Sequence, residues 1–147
     1  LRNFWPSVGP KHKLKAMTDY VIDASSILAF VFDEPGAGMV IDVARTNRLF
    51  VSSVNMAEVL AKLSDKGIGR DDARMFVAPL ELEEISFKSD HADVSAILRP
   101  LTRRDNISLG DRCCLALALT TRSPVLTAER TWRAVAEKVG VEIVMTR

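Results

Sequence analysis

What most limits the folds open to this chain is a regular alternation of short apolar runs with longer helical patterns. Tyr20-Val21-Ile22, Leu49-Phe50-Val51, Glu84-Ile85-Ser86-Phe87, Pro124-Val125-Leu126-Thr127 and residues 141–145 have strand length and are rich in β-branched and aromatic residues. Helical patterns fill the intervals at 27–32, 38–47, 55–65, 70–77, 90–104, 111–121 and 131–139. Strands that alternate with helices predict an α/β fold, with a five-stranded parallel sheet covered by helices on both faces and right-handed crossovers. Pro100 predicts a kink or break in the 90–104 helix, because proline has no N–H to give to the preceding turn. The 147 residues suit one domain.

Composition removes several alternatives. Apolar residues make up 48% and charged residues 27%, a globular mixture and not a disordered one. No apolar run approaches the length of a membrane span. The two cysteines, Cys113 and Cys114, are adjacent in a helical pattern and badly placed to bridge, so a disulfide framework is excluded and a cytoplasmic, reducing location is expected. The formal charge of +1 is misleading. Residues 1–16 hold four of the 20 basic residues and none of the 19 acids, so the remainder nets −3. That segment, with two prolines and no periodicity, reads as an extension or tag, or else as a basic arm, ahead of a domain spanning 17–147. A nucleic-acid partner would have to be drawn by a local basic surface.

Four acids stand where a sheet of this kind places its chemistry. Asp23 ends the first strand and is followed by Ser25 and Ser26, either of which could cap the next helix. Glu58 lies in register with Val54 and Ala61, so it either continues an apolar stripe or borders one defined by Leu60 and Leu63. Asp111 opens a strongly apolar helix, either as a buried acid needing a partner or as a first-turn acid favoured by the helix dipole, with Ser108 or Gly110 as cap. Glu129 follows the fourth strand, in the zone where open α/β sheets bind ligands. Asp90 and Asp93 read as a solvated face, His91 as a surface residue and Trp132 as core. Arg112, Arg130 and Arg133 adjoin the acids and are the candidates for phosphate contacts.

Together, Val21-Ile22-Asp23-Ala24-Ser25, Asn55-Met56-Ala57-Glu58-Val59, the run Ser108-Leu109-Gly110-Asp111-Arg112-Cys113-Cys114-Leu115-Ala116-Leu117-Ala118, and Leu126-Thr127-Ala128-Glu129-Arg130 resemble the PIN-domain nucleases, in particular the VapC-type toxins of toxin–antitoxin pairs. The third piece is the most specific, and the resemblance spans residues 17–147. It implies a three-layer α/β/α sandwich and an endoribonuclease dependent on Mg²⁺ or Mn²⁺. Asp23, Glu58 and Asp111 fall on the family's acidic positions, Ser25 on a hydroxyl supporting the first acid, and Thr127 on one preceding the last. Glu129 departs from the family pattern, which usually has aspartate there. The resemblance also implies an RNA substrate, a cognate VapB-type antitoxin reaching into the acidic cleft, and a homodimer.

The chemistry accounts for the residue types. Two unit charges about 4 Å apart repel by on the order of 4 kcal/mol at an effective dielectric near 20. Clustered carboxylates must therefore take up protons, move apart or share a cation. Mg²⁺ prefers carboxylate oxygen and keeps several waters, one of which can attack a phosphodiester. Asp23 and Asp111 are expected as main ligands, with Glu58 and Glu129 completing the cluster. Two alternatives stand beside this: a catalytically idle PIN-like binding module, and an Asp-dependent phosphotransfer domain. The second lacks the further aspartate two residues after Asp23, where Ser25 stands.

Overall fold

The computed structural model of the chain describes residues 18–147; the reading of residues 1–16 lies outside the described residues. Five strands form one sheet in the order β3-β2-β1-β4-β5. They are β1 Asp19–Ile22, β2 Arg48–Ser52, β3 Glu83–Ile85, β4 Val125–Thr127 and β5 Ile143–Met145, and every pairing is parallel. The helices are α1 Ala24–Val31, α2 Ala37–Thr46, α3 Ser53–Asp65, α4 Arg70–Val77, α5 Ser89–Thr102, α6 Leu109–Thr121 and α7 Ala136–Val139.

The strand sequences are apolar in consecutive positions because the sheet is buried on both faces. Ile22, Leu49, Val51 and Leu126 join one core with residues of α1 to α4. Their neighbours Val21, Phe50 and Val125 face the opposite way, into a second core with Leu98 of α5, Leu115 and Leu117 of α6, and Val139 of α7. The chain winds outward from β1 to β3, then returns to the far side of β1 as β4 and β5. Reversing the winding direction while keeping right-handed crossovers moves the second set of helices to the other face. The result is the three-layer α/β/α sandwich. β1 and β4 are neighbours that belong to the two opposite windings, so the crevice beyond their C-terminal ends is the switch point of the sheet.

Three local expectations are corrected. Pro100 does not break α5, which continues to Thr102. Proline falls in the last turn, on the exposed side, where the carbonyl it leaves unpaired can reach solvent, and Thr102 Oγ1 adds a bond to Leu98 O at 2.9 Å. The helix expected over 131–139 is instead a 3-10 segment, Arg130–Ala134, followed by the single turn of α7, which Gly140 ends at φ 71°. His91 is buried, not a surface residue: its Nδ1 accepts the Lys88 N–H at 3.2 Å and its ring lies tilted against Phe87. Asp90 and Asp93 are exposed and Trp132 is fully buried, as expected. No helix among the described residues is long and apolar enough to cross a membrane.

Candidate active site

Asp23 leaves β1 and caps α1 itself, in place of the expected Ser25 or Ser26. Its backbone is extended (φ −86°, ψ 168°), and Oδ1 accepts the Ser26 N–H at 3.1 Å. Ser25 Oγ lies 2.8 and 2.9 Å from the two carboxylate oxygens, and Thr127 Oγ1 donates to Oδ2 at 2.9 Å. The same hydroxyls face the other way as acceptors: Ser25 Oγ takes the Ala128 N–H at 3.0 Å and Thr127 Oγ1 the Glu129 N–H at 3.0 Å. These two side chains therefore lace the end of β1 to the end of β4. Asp23 is only 3% exposed. Burial pushes its carboxyl up to about 7; the Ser25, Ser26 and Thr127 donors oppose that rise and the charge on Asp111 adds to it.

Glu58 enters from α3, whose N-terminus is capped by Ser52 Oγ accepting from Val54 N–H. The buried side of α3 is Asn55, Met56, Val59 and Leu63, while Ala61 is exposed and Glu58 half-buried. Glu58 thus stands at the border of the apolar face and does not extend it. Asn55 Nδ2 reaches both Glu58 Oε2 (3.3 Å) and the carbonyl of Gly110 (3.0 Å).

Asp111 lies in the first turn of α6. Ser108 is the cap: its Oγ accepts the Asp111 N–H at 3.1 Å, and Asp111 Oδ2 accepts the Ser108 N–H at 2.9 Å. This reciprocal pair is a capping box, so the dipole-favoured reading of this acid holds. It does not use up the carboxylate, which keeps Oδ1 for other partners. Beyond it α6 is buried all round from Cys113 to Ala118. The thiol of Cys114 beneath the acids is raised, first by burial and then by the negative charges of Asp23, Asp111 and Glu58 together.

Asp23, Glu58, Asp111 and Glu129 line a single cleft of about 260 Å³, with Lys62, Asn106, Ser108 and Thr131 on its walls. The four sequence-predicted acids are brought together. Among the described residues, however, no three acid, histidine or cysteine side chains converge closely enough to hold a bare ion. The two observations agree if the ion is hydrated: Mg²⁺ keeps most of its water and needs one or two direct carboxylates. The donors offered are all hard oxygen, which fits such a cation.

The predicted arginines are placed differently from the acids. Arg112 folds back, with Nη1 donating to Ile107 O at 3.3 Å and Nε buried without a partner. Arg130 and Arg133 are exposed on the 3-10 segment, outside the lining of the cleft. The cation on the cleft wall is Lys62, which sequence reading missed. Its spacing four residues after Glu58 was the available signal, since i and i+4 share a helix face.

A sequence profile of the PIN domain family matches residues 20–138. A sheet wound in two directions, with carboxylates collected at its switch point, agrees with that match. The chain belongs to the PIN-domain family of nucleases. No curated protein matches it by sequence. Among solved structures it is similar to a toxin–antitoxin complex from Klebsiella pneumoniae (17% identity, TM-score 0.67, covering 87% of this chain and 98% of that one). It is also similar to DNA-bound VapBC from Salmonella typhimurium (15%, 0.67, 89% and 100%). VapBC2 from Rickettsia felis, bound to a DNA fragment from their promoter, is another such likeness (14%, 0.65, 87% and 98%). At these identities the likeness is one of fold.

Proposed function

We propose that this chain is a VapC-type toxin: an endoribonuclease that uses Mg²⁺ or Mn²⁺ to hydrolyse RNA phosphodiester bonds in the cytoplasm. The observation that carries the reading is the buried Asp23, held at the switch point with Glu58, Asp111 and Glu129 lining the same cleft. Asp23 and Asp111 would hold the cation, and Glu58 and Glu129 its waters. When bound, the cation supplies a water of lowered pKa and neutralises charge on the phosphoryl oxygens.

The chain's own residues do the rest. Ser25 and Thr127 hold the Asp23 carboxylate in one orientation, with both oxygens engaged. The capping box fixes Asp111 relative to the axis of α6. Lys62 offers a positive charge to a phosphate entering an otherwise acidic cleft. The likeness to VapBC complexes supports a VapB-type antitoxin as partner; that the antitoxin presents a basic side chain to the acids, and that the toxin assembles as a homodimer, are further parts of the proposal.

The deciding assay is cleavage of RNA by the purified protein with Mg²⁺ or Mn²⁺. Cleavage abolished by a chelator and by Asp111→Asn supports the enzyme. One alternative is an idle binding module, favoured by the absence, among the described residues, of three such side chains converging on one point; it would bind RNA without cutting it under either metal.

A further inference from the structure

Asn55 lies one helical turn before Glu58 and is 1% exposed. Its Nδ2 donates to Gly110 O at 3.0 Å and to Glu58 Oε2 at 3.3 Å. Both partners are acceptors only, so the opposite amide orientation would set Oδ1 against a carbonyl and a carboxylate. In the orientation that remains, Oδ1 is buried with no partner. A leucine here would leave no such orphan, and an unpaired buried acceptor is a standing cost. What the asparagine provides in return is the pair of bonds made by its amino group.

Those bonds meet a second constraint on the same atom. A Cβ placed on Gly110 would stand 3.1 Å from Glu58 Oε2, tighter than ordinary contact. Glycine at this position therefore lets α6 approach until Glu58 lies directly over its first turn. Oε2 takes the amide's bond on the α3 side and lies against the bare glycine on the α6 side, and the next residue is Asp111.

We propose that Asn55 is a positioning residue: it clamps Glu58 to the start of α6 and so sets the separation of Glu58 from Asp111 across the cleft. This rests on the nuclease reading above.

The test uses the full chain and the variants Asn55→Leu and Gly110→Ala, each alone and combined with Glu58→Ala. Three quantities are read: thermal stability in chelator, Mn²⁺ affinity by calorimetry, and kcat and KM for RNA cleavage. Asn55→Leu is expected to weaken Mn²⁺ binding and lower kcat by about tenfold, the scale of losses when a group that orients a metal ligand is removed, with KM nearly unchanged. On the Glu58→Ala background the same change should cost nothing further in Mn²⁺ affinity. Gly110→Ala leaves Asn55 intact, displaces the same carboxylate oxygen, and should give the same pattern; it carries the test if Asn55→Leu does not fold. Equal losses with and without Glu58, or variants indistinguishable from an active wild type, overturn the inference alone. A wild type that neither binds Mn²⁺ nor cleaves RNA overturns the nuclease reading, and the inference with it.

Discussion

Asp23 and Glu129 follow neighbouring strands and face one cleft, yet the fold holds them in opposite ways. Asp23 is buried, its two oxygens enclosed by a backbone N–H and two hydroxyls. Glu129 is exposed, and only its backbone is tied, through its N–H to Thr127. The first arrangement fixes position at the cost of desolvating a charge. The second leaves a side chain free to adjust in water. A family departure of one methylene is therefore tolerable at the Glu129 rim, where the carboxylate has room, and would not be at Asp23, where any added length meets Ser25 or Thr127.

The hardest test of this contrast is Asp23→Asn, which removes the proposed ligand charge while keeping shape. Cleavage should fall by roughly a thousandfold, in line with several kcal/mol of lost charge stabilisation. Single-turnover rates at saturating RNA measure it. A variant retaining a tenth of the activity would show the buried acid to be dispensable and the contrast to be without functional meaning.

The second test is pH. In the unfolded chain Asp23 titrates near 4, as free aspartate does, whereas in the fold it is pushed up to about 7. Between those values the folded state keeps a proton that the unfolded state has released. The metal-free protein is therefore most favoured by this group below about pH 4, loses stability as pH rises to about 7, and levels off above that. A shift of this size corresponds to a loss of about 4 kcal/mol across the window. Denaturant unfolding in chelator at pH 5 and pH 8 should show the fall, Asp23→Asn should flatten it, and Mn²⁺ should offset it at pH 8. An unchanged slope in Asp23→Asn would place the burial cost elsewhere.

Thr127→Val probes the joint between the two acids, since one hydroxyl serves both. Valine keeps the volume but withdraws a donor from Asp23 and an acceptor from Glu129 N–H. A loss of about 2 kcal/mol in stability is expected. Because the Thr127 donor lowers the Asp23 pKa, its removal should also move the pH window of the previous test upward. A shift in stability with no shift in pH window would mean that the hydroxyl serves β4 alone.

The layout of strands, and the acids at the ends of two of them, could be read from sequence because both are local facts. A run such as Tyr20-Val21-Ile22 followed by Asp23 carries its own geometry. What could not be read depends on contacts between distant elements or on competition within one turn. Asp23, Ser25 and Ser26 are all competent caps, and only the arrival of Thr127 and Ala128 from β4 decides that the aspartate caps and Ser25 bridges. Asn55 looks like any polar helix residue until α6 brings Gly110 against it. His91 is buried because Phe87 and the start of α5 close over it, a consequence of packing that its lone position does not disclose. Pro100 reads as a mid-helix residue, but its effect is set by its place two residues before the end of α5.

Lys62→Ala should act on substrate capture more than on chemistry. The lysine lies on the cleft wall but makes no bond to the acids, so its removal should raise KM severalfold, leave kcat close to wild type, and weaken the salt dependence of RNA binding by about one phosphate contact. A fall in kcat with constant KM would move Lys62 from the substrate to the acids.

The smallest expected effect returns to the rim. Glu129→Asp restores the acid usual at this position and shortens the reach by one methylene. If Glu129 acts through water, as its exposure and untethered carboxylate suggest, the intervening water takes up the difference, and cleavage should change by no more than about twofold. Glu129→Gln, which keeps the length and removes the charge, should cost more than the shortened acid. The matched change at the other strand end, Asp23→Glu, should be close to inactive, because a longer side chain cannot keep the bonds to Ser25, the Ser26 N–H and Thr127 that hold this carboxylate. Kinetics of these three variants under one Mn²⁺ concentration decide the matter. If Glu129→Asp were as damaging as Asp23→Glu, the rim acid would be a direct ligand at fixed distance, and the two strand ends would be two halves of one rigid site.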